Sequence, residues 1–205
     1  GSSGGGAVSG NSDSGAVSNN TVTVQNGAII KSSVYGGSSG GGAVSGNSVK
    51  IDNATVGLVV FGGSSDRGAV SNNTVTVQND AKVDNSVYGG LSDSGAVSNN
   101  SVTVQNGAKV TGSVYGGYSE SGTVSDNSVV IDNSAVGNDS NSSSVYGGSS
   151  DSSTVSNNNV TLTGENTIIK GYVYGGNSTS GAVSGNTVTV QNGANVTANV
   201  SGGSS

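Results

Sequence analysis

Short runs along the chain alternate apolar and polar residues, as in Thr74-Val75-Thr76-Val77-Gln78 and Thr187-Val188-Thr189-Val190-Gln191. A period of two carried by β-branched residues predicts strands. No apolar stripe at helical spacing interrupts them. Gly-Gly, Asn-Gly and Ser-x-Asn clusters stand between the runs and predict turns. The pattern repeats. Val-Tyr-Gly-Gly recurs at Val34–Gly37, Val87–Gly90, Val114–Gly117, Val145–Gly148 and Val173–Gly176, with Val60–Gly63 and Val200–Gly203 as degenerate copies. A period of about 27 residues predicts one structural unit stacked on copies of itself.

Each unit supplies about three short strands. One enters Val-Tyr-Gly-Gly, one holds Gly-Ala-Val-Ser, and one holds Thr-Val-Thr-Val-Gln. This predicts an all-β fold, a parallel β-helix (β-solenoid) of about seven coils running as a single repeat segment over 1–205. At one strand spacing per coil, the rod is about 35 Å long. Stacking aligns five inward columns. They begin at Val17, Val22, Val24, Ile30 and Val34 and continue through residues such as Val97, Val102, Val104, Val110 and Val114.

Two polar columns repeat as regularly. Asn20, Asn47, Asn73, Asn100, Asn127, Asn158 and Asn186 hold one turn position. Asn26, Asn53, Asn79, Asn106, Asn133 and Asn192 hold another, with Gly164 in place of Asn once. Stacked amides can donate to one neighbour and accept from the other. Asn also tolerates left-handed backbone. Both columns therefore read as structural ladders. The aromatic column is Tyr35, Phe61, Tyr88, Tyr115, Tyr146 and Tyr174. Alternation places it on the outer face or at a corner, next to inward Val. It reads either as a stacked stabilising ladder or as a contact stripe for a glycan, a second filament or another protein.

Composition narrows the chemistry. The chain has 205 residues, 37 of them Gly, 9% charged, and no Pro, Cys, His, Met or Trp. Fixed Val offsets favour an ordered repeat over the disorder that so few charges would otherwise suggest. The absence of Cys excludes disulfides and thiolate metal sites. Net charge is −6 and no basic cluster exists, so nucleic acid is not an expected partner. No run is long and apolar enough to span a bilayer as a helix, so no membrane contact is expected in this segment.

A catalytic site would need converging carboxylates or bases. The acidic column Asp13, Asp66, Asp93, Glu120 and Asp151 is broken by Gly40 and Thr179 and sits in a Ser/Gly turn, where solvated carboxylates are ordinary. Neither catalysis nor calcium binding is expected of it, and no cofactor is expected. Outward Thr pairs such as Thr21/Thr23 and Thr74/Thr76 bring ice binding to mind. Lys50, Val130 and Asn159 interrupt that face, and outward β-propensity explains the Thr equally well.

Two irregularities stand out. Residues 134–144 carry a polar insertion ahead of a Val-Tyr-Gly-Gly strand and predict a loop on one face. Near the start, Val8-Ser9-Gly10-Asn11-Ser12 passes directly into Asp13-Ser14-Gly15-Ala16-Val17. Either the first coil is truncated there or residues are missing between Ser12 and Asp13. The chain also opens and stops in mid-repeat, which reads as a slice of a longer protein.

Val-Tyr-Gly-Gly followed by Ser-x-Ser-Gly-x-Val-Ser-x-Asn-x-Val-x-Val resembles the repeats of large bacterial autotransporter-type surface proteins, over essentially the whole chain. The resemblance implies a right-handed β-helical passenger, extracellular on the surface of a diderm bacterium. It implies a non-enzymatic adhesive or filamentous role, with partners that are either further copies or a surface glycan or protein. The membrane barrel and export signal of that family are not in this sequence, nor is the serine-protease motif of its protease members. A purely structural fibre assembling end to end or laterally is the other reading.

Overall fold

The computed structural model describes residues 2–3, 7–8, 10–138 and 143–205. Their strands are all parallel and form four sheets, each gathering one strand from successive coils. Chain neighbours within a sheet lie about 27 residues apart, as in the pairing of Val75 with Val102. The fold is a β-solenoid of about seven coils, with no helix among the described residues.

The longest strands run Val34–Ser39, Val60–Ser65, Val87–Ser92, Val114–Ser119, Val145–Ser150 and Val173–Ser178. They form the long-strand sheet. A two-residue strand follows in each coil, such as Val44–Ser45 or Val97–Ser98, making the Val-Ser sheet. The threonine sheet comes next, with Thr21–Gln25, Thr74–Gln78 and Ser101–Gln105 among its members. The three strands expected per coil are joined by a fourth. Ile29–Ile30, Thr55–Val56, Lys82–Val83 and Lys109–Val110 belong to this corner sheet. Two residues are too few to display alternation, so this strand shows in the sequence only through its inward Ile or Val.

Alternation builds the core directly. In Thr74–Gln78 the outward Thr74 is exposed while Val75 and Val77 are fully buried. The inward columns fill two separate apolar clusters. The larger joins Val75, Val77, Val83 and Val87 with their equivalents in other coils, and adds Ala54, Ala81 and Ala108. The smaller holds only Val17, Val44, Val70, Val97, Val124 and Val155, with Val183 against it. In the last coil Val190 and Val200 are exposed, at 43% and 46%, because no further coil covers them.

The Gly pair does not turn the chain. Gly36 and Gly37 lie inside the strand Val34–Ser39, and both are buried. What requires them is close approach. A Cβ on Gly36 would collide with the carbonyl oxygen of Gly62 in the next coil, and one on Gly37 would stand 2.7 Å from Asn47 Nδ2. The turns are made elsewhere. Asn19, Asn72, Asn99, Asp126 and Asn157 take positive φ at one corner, with Gly46 and Gly185 in the same column. Asn26, Asn53, Asn79, Asn106, Asn133 and Asn192 do so at another, with Gly164. Only Gly and, at lower cost than other residues, Asn and Asp adopt this conformation.

At the start of the chain, Ala7–Val8 pair with Val34 and Tyr35, and Asn11–Ser12 pair with Ser38 and Ser39. The segment therefore occupies the long-strand position and leads straight into the following turn. In the segment 134–144, Ala135–Val136 continue the corner sheet, while Ser134, Ser143 and Ser144 are buried. The insertion residues 139–142 lie outside the described residues.

Candidate functional site

The aromatic column forms one stack along the outside of the long-strand sheet. Cross-coil pairing sets Tyr35 against Phe61, Phe61 against Tyr88, and so on through Tyr174. Ring centroids are 4.7 Å apart for Tyr35–Phe61, Tyr88–Tyr115 and Tyr115–Tyr146, and 5.3 Å for Phe61–Tyr88 and Tyr146–Tyr174. Interplanar angles run from 1° to 15°. The rings are half-buried, and within the stack each ring face is covered by its neighbours. A sugar ring packs on an aromatic face, so the stack offers it mainly edges and hydroxyls.

Tyr118 and Tyr172 join this cluster, which the repeat pattern alone does not reveal. Tyr118 sits edge-on to Tyr88 and Tyr115, at 6.4 and 5.8 Å. Its hydroxyl donates to Asp151 Oδ2 at 3.1 Å. Tyr172 lies 6.1 Å from Tyr174. All seven Tyr and the single Phe of the chain thus belong to one array. Burial pushes the phenols of Tyr88, Tyr115 and Tyr146 up from their ordinary range, and for Tyr115 the adjacent phenols add to it. The Tyr118 phenol is also raised, by burial first and then by its bond to the Asp151 carboxylate.

The first Asn column is a continuous buried ladder. Asn47 Nδ2 donates to Asn73 Oδ1, Asn73 to Asn100 and Asn127 to Asn158, each at 2.9 Å, with Asn100 to Asn127 at 3.0 Å. Asn20 donates to Asn47 at one end and Asn158 to Asn186 at the other, each at 2.9 Å. Every Oδ1 that accepts also takes the backbone N–H of the same donor residue, as Asn100 does from Asn73 at 3.0 Å. Nδ2 reaches backward too, Asn100 to the Val70 carbonyl at 3.1 Å. The second Asn column makes scattered contacts instead. Asn79 donates to Asp52, Asn106 to Asn79 and Asn192 to Thr163. It serves mainly as turn backbone.

A serine ladder runs parallel to the Asn ladder. Ser39, Ser65, Ser92, Ser119, Ser150 and Ser178 are buried. Ser65 Oγ accepts from the Gly68 N–H at 2.9 Å and donates to the Gly42 carbonyl of the previous coil at 3.0 Å. The same pair of bonds recurs at Ser92 and Ser119. Each hydroxyl therefore closes its own turn and ties it to the coil before. The constant Ser two residues after Gly-Gly was the available signal for this, but Ser is so frequent here that it does not stand out.

Other candidate residues stay apart. Asp13, Asp66, Asp93, Glu120 and Asp151 are exposed, one to a coil. Among the described residues no three of His, Cys, Asp or Glu come together to hold a metal ion. On the threonine face Lys50 pairs with Asp52 at 2.8 Å, Gln78 donates to Asp52 and Gln105 to Gln78. That face is thus a mixed row of Thr, amides and charge. Comparison with protein-family models, curated proteins and solved structures returned no match.

Proposed function

We infer that this chain is a non-enzymatic rigid segment of an extracellular bacterial surface protein, an adhesin or surface filament. The observation that carries the reading is the near-identity of every coil. The aromatic row continues across six coils on the outside of the long-strand sheet, so the molecule offers an extended stripe rather than one singular cleft. Such a surface suits many weak, repeated contacts, whose combined strength grows with valency. The resemblance of the repeat to autotransporter-type passengers supports the same placement on the cell surface.

The partner on this reading is a surface glycan or protein, or further copies of the chain. A purely structural fibre is the second reading. It is favoured by coil-to-coil contacts that are nearly the same at every step, because such contacts propagate without a preferred length. Electron microscopy of native material, with binding of the purified protein to cells, separates the two. Short rods that decorate cells and bind saturably support the adhesin. Long uniform filaments without cell binding support the fibre, and an activity that vanished on neutralising Asp93 and Glu120 would overturn both.

A further inference from the structure

The chain lacks Cys, Met, Trp and His, so its seven Tyr are the readily oxidised side chains it has. Six of them form a connected path of phenols. Tyr172 is the exposed one, at 43%, and the others are half-buried. From Tyr172 the ring centroids lie 6.1 Å apart to Tyr174, 5.3 Å on to Tyr146, 4.7 Å to Tyr115 and 5.8 Å to Tyr118. Tyr88 stacks on Tyr115 as a side branch. Rings at contact distance exchange an electron readily, because their π orbitals overlap. Tyr35 is off this path, since Phe61 stands between it and Tyr88 and has no phenol to oxidise.

The path has a defined end. A phenol that loses an electron becomes strongly acidic, so the vacancy is held where the proton can leave. The phenols of Tyr88, Tyr115 and Tyr146 bond to the hydroxyls of Ser86, Ser113 and Ser144, and a hydroxyl is a poor base. At exposed Tyr172 the base at hand is solvent water, also weak. Tyr118 instead donates to the Asp151 carboxylate at 3.1 Å. Among the described residues it is the one phenol bonded to a carboxylate. A carboxylate takes the proton along a hydrogen bond that already exists.

We propose that the aromatic array is a radical relay, which takes up an oxidising equivalent at Tyr172 and delivers it to Tyr118. The co-reactant is a one-electron oxidant of the peroxidase or metal-polypyridyl class. The oxidant gains one electron from Tyr172. Electrons then step toward the vacancy from Tyr174, Tyr146, Tyr115 and Tyr118 in turn. The Tyr118 proton passes to Asp151, leaving a neutral phenoxyl radical beside a protonated carboxyl. The oxidant is reduced by one electron, Tyr118 is oxidised by one, and no covalent bond is made. This activity needs neither a second copy nor a surface partner.

The test injects the vacancy at one end and locates it at the other. With no Cys in the chain, Asn199→Cys supplies a single thiol for a ruthenium polypyridyl label. Asn199 precedes Val200, the cross-coil partner of Val173, and so lies beside Tyr172. Flash oxidation of the label is followed by phenoxyl absorption, and the radical is located by spin trapping and mass spectrometry. The radical is expected on Tyr118. Tyr146→Phe, which the stack tolerates as it does Phe61, is expected to strand the radical on Tyr172 and Tyr174. Asp151→Asn is expected to lower the Tyr118 yield severalfold with unchanged circular dichroism, and Tyr35→Phe to leave it unchanged. A radical that stays on Tyr172 or Tyr174 without either substitution, or a Tyr118 yield unaffected by Tyr146→Phe, would overturn the proposal.

Discussion

The two ends of the coil's cross-section are built on different physics. At the wide end, Val, Ile, Leu and Ala pack into one large apolar cluster. At the narrow end, a single Val column is set off from that cluster by the Asn ladder and flanked by the Ser ladder. The ends also differ in what they tolerate within one molecule. The wide-end column through Val24 reads Val, Ile, Val, Val, Ile, Leu, Val along the rod, and the one through Ala54 admits Ser134 and Thr167. The Asn column never changes, nor does the second Gly of each pair. Apolar contact asks for volume, whereas a directional ladder asks for one side chain in one geometry. Gly is fixed because the amide lies against it, so the two columns constrain each other.

The largest test of this contrast is Asn100→Ala. It leaves the Asn73 N–H without its acceptor inside the rod and its Nδ2 with the Val44 carbonyl alone. A buried group left unpaired costs about 1–3 kcal/mol, so a loss of about 3–5 kcal/mol is expected in denaturant unfolding. A loss under about 1 kcal/mol would mean that water or a shifted neighbour replaces the amide. Gly90→Ala follows. Its Cβ would meet Asn100 Nδ2 at 2.5 Å, and overpacking of this kind costs about 1–3 kcal/mol. The ladder and the Gly share one space, so Gly90→Ala combined with Asn100→Ala should cost less than the sum of the two.

At the wide end, Val104→Ala should cost about 2 kcal/mol, as a cavity in a fully buried column. Val104→Ile should cost under about 1.5 kcal/mol, because Ile51, Ile131 and Leu162 already fit that column. A melting-temperature series across these two variants and the two narrow-end ones sharpens the comparison. Equal losses from Val104→Ile and Gly90→Ala would erase it. The smallest effect has the opposite sign. Ser134 Oγ is buried without a hydrogen-bond partner among the described residues, in a column otherwise held mostly by Ala. Ser134→Ala should therefore raise stability by about 1 kcal/mol, and a measured loss would show that the hydroxyl has a partner after all.

Much of this was legible in the sequence. Alternation at Thr74–Gln78 and the fixed offsets of Val located the wide-end columns, because inward and outward positions in a strand are a local property. The roles at the narrow end were harder to separate. Asn99 and Asn100 are chemically identical neighbours, yet Asn99 takes positive φ in the turn and Asn100 lies in the buried ladder. The Gly pair reads as a turn because Gly so often makes turns. Here its cause is a carbonyl and an amide belonging to other segments of the solenoid, which no local window contains. Tyr118 falls outside the repeat consensus, so its place beside the stack follows only from cross-coil register.

Side-chain amide hydrogen exchange, followed residue by residue by NMR, compares those neighbouring Asn directly. The Nδ2 protons of Asn73, Asn100, Asn127 and Asn158 should exchange slowly, because each is bonded inside the rod. Those of Asn99 and Asn157, exposed at the turn, should exchange at the rate of a free amide. Equal exchange in the two columns would contradict a solenoid held at its narrow end by a buried Asn ladder.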